Sequence, residues 1–165
     1  MTIDAIDELV ARSKPHHELA RFHRFHREHP EVLDFLVSEI RLRIERGFGA
    51  FSFASLWHYS RWKLEMKSGP TTTYLMNDHA TPYYARAILI LHPEFNGRAE
   101  LRTATPDRVF GTELEPLPKK RQKGYARRLR WADGTPIELG WRPTQPHVVA
   151  YAPATRADIH PREIV

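Results

Sequence analysis

The chain has 165 residues, with 25 Lys and Arg against 20 Asp and Glu and a formal net charge of +5. This length is typical of one domain and does not favour two. Cysteine is absent, which excludes disulfide frameworks, thiolate nucleophiles and cysteine-ligated metal sites. A hydrophobic content of 41% is too high for a disordered chain, and no apolar run approaches the length of a membrane span. The start, MTIDAIDELV, does not resemble a secretory signal, so we expect a cytoplasmic protein without membrane contact.

The positive charge is concentrated in the second half of the sequence. Residues 1–82 hold 11 basic and 11 acidic side chains, whereas residues 83–165 hold 14 and 9. Seven cations fall within twelve acid-free residues: Lys119, Lys120, Arg121, Lys123, Arg127, Arg128 and Arg130. Such a segment attracts phosphate, although a solvated basic linker has the same composition.

Apolar residues recur at helical spacing through residues 1–102, which we predict to be a helical region. The pattern predicts five helices: residues 3–12, residues 16–28, Pro30 to the stop at Gly47, the Ser52 cap to Gly69, and Pro82 to the stop at Pro93. Residues 71–75 favour a short strand, and residues 98–102 a strand or wing after the Asn96-Gly97 turn.

The order of these elements is that of a winged helix-turn-helix, in which the third helix enters the major groove. The helix opened by Pro82 would then read DNA. Donors and acceptors suited to bases and phosphates lie at its start: Asn77, His79, Thr81, Tyr83 and Arg86. The competing interpretation is that the polar residues before Pro82 only cap a core helix, since Ile88 to Leu91 is apolar all round.

The C-terminal part is predicted to be a small antiparallel hairpin region. Residues 103–123 contain three prolines and are interpreted as a connector, residues 124–152 as a hairpin region packed on the helices, and residues 153–165 as a tail. A three-residue loop, Ala132-Asp133-Gly134, places the large apolar side chains on one face. The resulting pairs are Trp131 with Thr135, Leu129 with Ile137, Arg127 with Leu139, and Tyr125 with Trp141. Arg128 and Arg130 then face the other way, and residues 148–151 add a third strand.

Residues 25–102 resemble a family of small uncharacterised bacteriophage and prophage proteins. The matching residues are Phe25-His26, Pro30, Val32, Gly47, Leu56-Trp57, Arg61-Trp62, Asn77-Asp78-His79, Tyr84-Ala85-Arg86, Pro93-Glu94 and Leu101-Arg102. Two positions depart from the family pattern: the run at Asn77 is not all asparagine, and Ser60 stands where an isoleucine is usual. The resemblance covers about half the chain and implies a viral or prophage origin and an intracellular setting. It implies no reaction.

No pattern in the sequence predicts catalysis. His23, His26 and His29 have the i, i+3 spacing of metal ligands, but His26 falls on the apolar side of its helix, so we assign no metal. Glu65-Met66-Lys67 matches only the end of a nuclease pattern, and neither a Gly-rich phosphate loop nor a nucleophile elbow is present. We therefore predict no catalytic residue and no cofactor.

The sequence leaves three functions open. The leading hypothesis is a non-enzymatic, phage-type protein that binds nucleic acid, chiefly double-stranded DNA, through the Pro82 helix and the basic segment at Lys119, Lys120, Arg121, Lys123, Arg128 and Arg130. The alternative is a viral protein that binds and inhibits a host protein, which a pull-down from nuclease-treated lysate would distinguish. The third is a metal-dependent nuclease, which requires divalent-dependent cleavage. The oligomeric state is left open.

Overall fold

A computed structural model describes residues 5–69, 76–116, 126–138, 141–145 and 148–153. The protein is mixed helix and sheet, and mostly helical. The helices are α1 (Ala5–Ala11), α2 (His17–Glu28), α3 (Glu31–Glu45), α4 (Phe53–Ser68), α5 (Thr81–Leu91) and α6 (Thr105–Phe110). The strands are β1 (Phe51–Ser52), β2 (Ala99–Glu100), β3 (Thr112–Leu114), β4 (Leu129–Trp131), β5 (Trp141–Gln145) and β6 (Val148–Pro153). All five predicted helices are confirmed where the chain is described. The strand predicted for residues 71–75 lies outside the described residues.

The centre of the fold is α5, whose residues from Tyr83 to Ile90 are all buried. A helix that is apolar on every side has to be covered on every side. It contacts α1, α3, α4 and α6. The ring of Tyr84 packs edge-on against Phe22 of α2, with 4.9 Å between ring centroids, and at a tilt of 38° against Trp57 of α4, with 5.5 Å between centroids. The other helices thus form a shell around the segment that was predicted to read DNA.

Local signals in the sequence define the ends of α4. The Ser52 hydroxyl accepts a hydrogen bond from the backbone N–H of Ser55, and Gly69 ends the helix with a φ of +80°. The buried side is formed by Phe53, Trp57 and Leu64. The predicted cap and stop of this helix are both confirmed.

The predicted wing is not confirmed. A wing is an antiparallel hairpin, whereas β2 pairs in parallel with β1, through Phe51 with Ala99 and Ser52 with Glu100. After β2, the predicted connector contains α6 and β3, so the interpretation of residues 103–123 as a connector is wrong for its described part. Pro106 lies in the first turn of α6, where its missing N–H costs nothing, and it is buried.

The predicted loop of the hairpin is confirmed. The backbone N–H of Trp131 donates to the carbonyl of Thr135 at 2.9 Å, and Gly134 has a φ of +88°. Arg130 and Pro136 form an isolated antiparallel β-bridge, in the predicted register. The main partner of β4 is nevertheless β3, with Trp131 opposite Thr112. The predicted pairs that involve Tyr125 and Leu139 lie outside the described residues.

The hairpin packs on the helical region, as predicted. Leu129, Trp131 and Ile137 are buried in the same core as the helices. The side chain of Asn96, just beyond α5, substitutes for a strand partner: its Nδ2 donates to the Leu129 carbonyl at 2.7 Å and its Oδ1 accepts from Leu129 N–H at 2.8 Å. The strand predicted for residues 148–151 is present as β6. It pairs antiparallel with β5 in a separate two-stranded sheet and does not join the hairpin of β4.

Candidate nucleic-acid interface

The predicted DNA-reading helix does not present its side chains to the surface. Tyr83 and Arg86 are 1% and 2% exposed. The guanidinium of Arg86 binds the carboxylate of Asp107 through two hydrogen bonds, Nε to Oδ1 at 2.8 Å and Nη2 to Oδ2 at 2.9 Å, and also donates to the carbonyl of Arg102. Asp107 Oδ2 further accepts from the N–H of Ala104 at the start of α6. The fold therefore does not favour nucleic-acid contact by Tyr83 and Arg86, because both side chains are buried and the carboxylate of Asp107 binds the guanidinium of Arg86.

The polar residues before α5 act mainly as caps. Asn77 Oδ1 accepts from the N–H of His79 at 3.0 Å and begins the 3-10 turn Asp78–Ala80, which continues into α5. Asp78 forms an ion pair with Arg61 of α4. Asn77 and His79 are exposed, and Thr81 is half-buried. This geometry favours the capping interpretation, and it leaves Asn77 and His79 as the members of the set that solvent reaches freely.

The hydroxyl of Tyr83 has a structural partner in His16, the N-cap residue of α2. His16 Nδ1 accepts from the N–H of Glu18 at 3.3 Å, and the Tyr83 hydroxyl lies at the same distance, 3.3 Å, from this nitrogen. Burial raises the pKa of Tyr83 to about 12; the charge of Glu18 adds to the rise and that of Arg108 opposes it.

Tyr83 should make the protein lose stability at alkaline pH. A raised folded-state pKa means that the native protein keeps a proton which the unfolded chain loses near pH 10. The free energy of unfolding should therefore be insensitive to this group below about pH 10 and fall as the pH rises to about 12. Urea titrations across this range should show a shallower fall for Tyr83→Phe than for the wild type. Equal slopes would contradict the assignment.

The predicted basic segment is described only at its C-terminal end. Lys119, Lys120, Arg121 and Lys123 lie outside the described residues. Arg127 donates through Nε and Nη2 to the carbonyl of Glu115, and Arg130 pairs with Glu113 at 2.7 Å. Arg128 is exposed and lies against Gly97.

A second basic surface, which the sequence analysis missed, lies on α2. Its exposed arginines, Arg21, Arg24 and Arg27, form what we call the α2 arginine row. Successive helical residues are rotated by about 100°, so Arg24 lies nearly opposite the buried Phe22, and the other two lie about 60° to either side of it. No hydrogen bond or ion pair ties these three side chains to another residue in the described part of the chain.

The row was missed because the first half of the chain is neutral as a whole. Only the i, i+3 spacing of the arginines, compared with the buried positions of the same helix, would have revealed it.

An open surface depression beside the row is lined by Ala20, His23, Arg24, Arg27 and Glu28. This surface can receive anionic groups, and Glu28 is the acid among the residues that line the depression.

Two histidines of α2, His23 and His26, are engaged in protein contacts. His23 Nε2 contacts Asp7 of α1, and the buried His26 lies 3.2 Å from the Tyr84 hydroxyl through Nδ1. The position predicted for His26, on the apolar side of its helix, is thus confirmed. Within the described ranges, no group of three or more His, Asp or Glu side chains is placed to hold a metal ion.

Comparison with known proteins adds no relative: no family model, no curated protein and no solved structure matches the chain. In the part of the chain that the structure describes, no helix combines the length and apolarity needed to cross a membrane. The residues themselves therefore carry the functional argument.

Proposed function

We propose that the protein binds nucleic acid, chiefly duplex DNA, through phosphate contacts and without a catalytic step. The observation that carries the proposal is the α2 arginine row, three exposed guanidinium groups with no acidic partner among the described residues. Guanidinium groups bind phosphate with bidentate geometry, and unpaired ones need not break an ion pair before they do so.

The dimensions of the row suit a phosphate backbone. Arg21 and Arg27 are six residues apart, or about 9 Å along the helix axis. A DNA duplex carries about five phosphate charges over that length. The acid-free basic segment at residues 119–130 would add further phosphate contacts, of which the exposed Arg128 is the described member.

This mode of binding does not depend on a reader helix. Phosphate contacts position a protein on the duplex but carry no base sequence. We therefore expect affinity that varies little with DNA sequence and falls steeply with salt. In line with the family resemblance, we place this activity in the cytoplasm of a bacterium that carries the phage or prophage.

The triple variant Arg21→Ala, Arg24→Ala, Arg27→Ala tests the proposal. If each arginine neutralises one phosphate, the slope of log affinity against log salt should become shallower by about 2–3, and affinity should fall at every salt concentration. The measurement is fluorescence anisotropy with a short labelled duplex over about 50–200 mM salt.

A matched variant controls for net charge. Arg46→Ala, Arg102→Ala, Arg108→Ala removes the same charge from three exposed side chains outside α2. We expect this variant to retain most of the wild-type slope. Equal losses in the two variants would show that binding is a general effect of the basic protein and would overturn the role of the α2 row.

A further inference from the structure

The helix α4 exposes a second apolar stripe, on the side opposite the core. Tyr59, Trp62 and Met66 are 40%, 56% and 69% exposed, and we call them, with Lys63 and Lys67, the α4 stripe. Tyr59 follows the buried Trp57 by two residues and Met66 follows it by nine, which places both about 160–180° away around the helix. Large apolar side chains on both faces are unusual for a surface helix and indicate that the outer face has a ligand.

Cations accompany the aromatic rings of the stripe. The ammonium of Lys63 lies 5.6 Å from the ring centroid of Tyr59 and 5.5 Å from that of Trp62. Lys67 is exposed one turn further along, and Glu65 is the exposed acid at the edge of the stripe. No ion pair joins either lysine to an acid within the described part of the chain.

We infer that the α4 stripe binds single-stranded nucleic acid, with unpaired bases stacked on Trp62 and Tyr59 and phosphates held by Lys63 and Lys67. Every base offers an aromatic face, and exposed aromatic rings beside cations are the usual platform for a single strand. The lysines favour this polyanion over an apolar or a basic protein surface. The inference rests on the proposed function and assigns to it a second class of ligand, bound at a surface separate from the α2 row.

Trp62 supplies a direct signal for the test. Of the three tryptophans whose burial the structure describes, Trp57 and Trp131 are at most 1% exposed, whereas Trp62 is 56% exposed and accessible to a ligand. Titration of the full chain with a short oligothymidylate should quench tryptophan fluorescence through Trp62. Each stacked base contributes about 1–3 kcal/mol, so the variant Tyr59→Leu, Trp62→Leu, which removes both rings, should bind this strand at least about 30-fold more weakly. Its affinity for the duplex should change less than about twofold, because duplex binding uses the α2 row.

Phe48→Leu is the matched control. Phe48 is also an exposed aromatic residue beside a cation, with Arg43 4.4 Å from its ring centroid, but it lies outside the stripe. This variant should keep wild-type affinity for both ligands.

The outcomes separate the two proposals. If the wild type binds the duplex and the stripe variant still binds oligothymidylate as the wild type does, the stripe is not the platform and duplex binding stands. If the wild type binds neither ligand, the proposed function itself is overturned. Sedimentation tests the remaining occupant, a second copy of the chain. If the wild type self-associates, the stripe variant is monomeric and the wild type does not bind oligothymidylate, a second copy covers the stripe and the inference is wrong.

Discussion

Arg86→Ala is expected to lower the free energy of unfolding by about 3–5 kcal/mol. The substitution removes the bidentate partner of Asp107, whose side chain is 8% exposed, and leaves that carboxylate with only the N–H of Ala104 and no compensating charge. It also leaves the carbonyl of Arg102 without the donor that Arg86 supplies. An unpaired buried charge is among the most costly defects in a fold. Urea denaturation followed by circular dichroism measures the loss.

Arg108→Ala is the control for this prediction. Arg108 lies on α6 one residue after Asp107, but its side chain is exposed, so its removal should change stability by less than about 0.5 kcal/mol. An Arg86→Ala protein as stable as Arg108→Ala would refute the structural role of the ion pair. A stable Arg86→Ala protein that had lost duplex binding would restore the sequence-based hypothesis that this arginine reads DNA.

Trp131→Ala is expected to cost about 3–5 kcal/mol as well, the range for deleting a fully buried aromatic side chain. Trp131 is 0% exposed and packs in the same core as the helices, although it belongs to the hairpin. A cavity of this size in a shared core should destabilise the whole protein. Unfolding should therefore remain one transition, shifted to lower urea concentration, with helical and tryptophan signals changing together.

Trp62→Ala provides the same chemical change at an exposed site. Since 56% of Trp62 is accessible to solvent, its removal should alter the free energy of unfolding by less than about 0.5 kcal/mol. Two outcomes would contradict the prediction. Trp131→Ala could change the free energy of unfolding as little as Trp62→Ala does, or it could unfold the hairpin at low urea and leave the helical transition unchanged. Either result would make the hairpin an independent unit and not part of the helical core.

Local features of the sequence were sufficient to predict most of the secondary structure. The Ser52 cap, the stop at Gly69 and the loop that ends in Gly134 each depend on contacts between residues close in sequence, so their residue types and spacing predict them well. The short helix α6 was missed because six residues give little periodicity, and the prolines around it favour a loop. Its stability comes from the burial of Val109 and Phe110 and from the contact of Asp107 with Arg86, 21 residues earlier.

For the candidate surfaces too, the sequence predicted some features and long-range contacts decided the others. Counting charges located the acid-free segment at residues 119–130 but hid the α2 arginine row, whose cations are balanced in number by acids elsewhere in the first half. The polar residues and arginine around Pro82 have the composition of a DNA-reading helix. Their burial follows from the shell of helices around α5, which no local pattern reveals.

The sequence by itself determined that this is a basic protein without cysteine chemistry, with a helical first part and a β-hairpin after it, where the helices α1 to α5 lie, and how the hairpin loop turns. Only the tertiary structure decided which helix is the core, which arginines are free and which aromatic rings face solvent. The physical reason is that helix periodicity and turn chemistry act over a few residues, whereas burial and ion pairing join residues far apart in the chain. Arg24 and Arg86 are the same residue type, and their surroundings alone make one a candidate phosphate ligand and the other a structural cation.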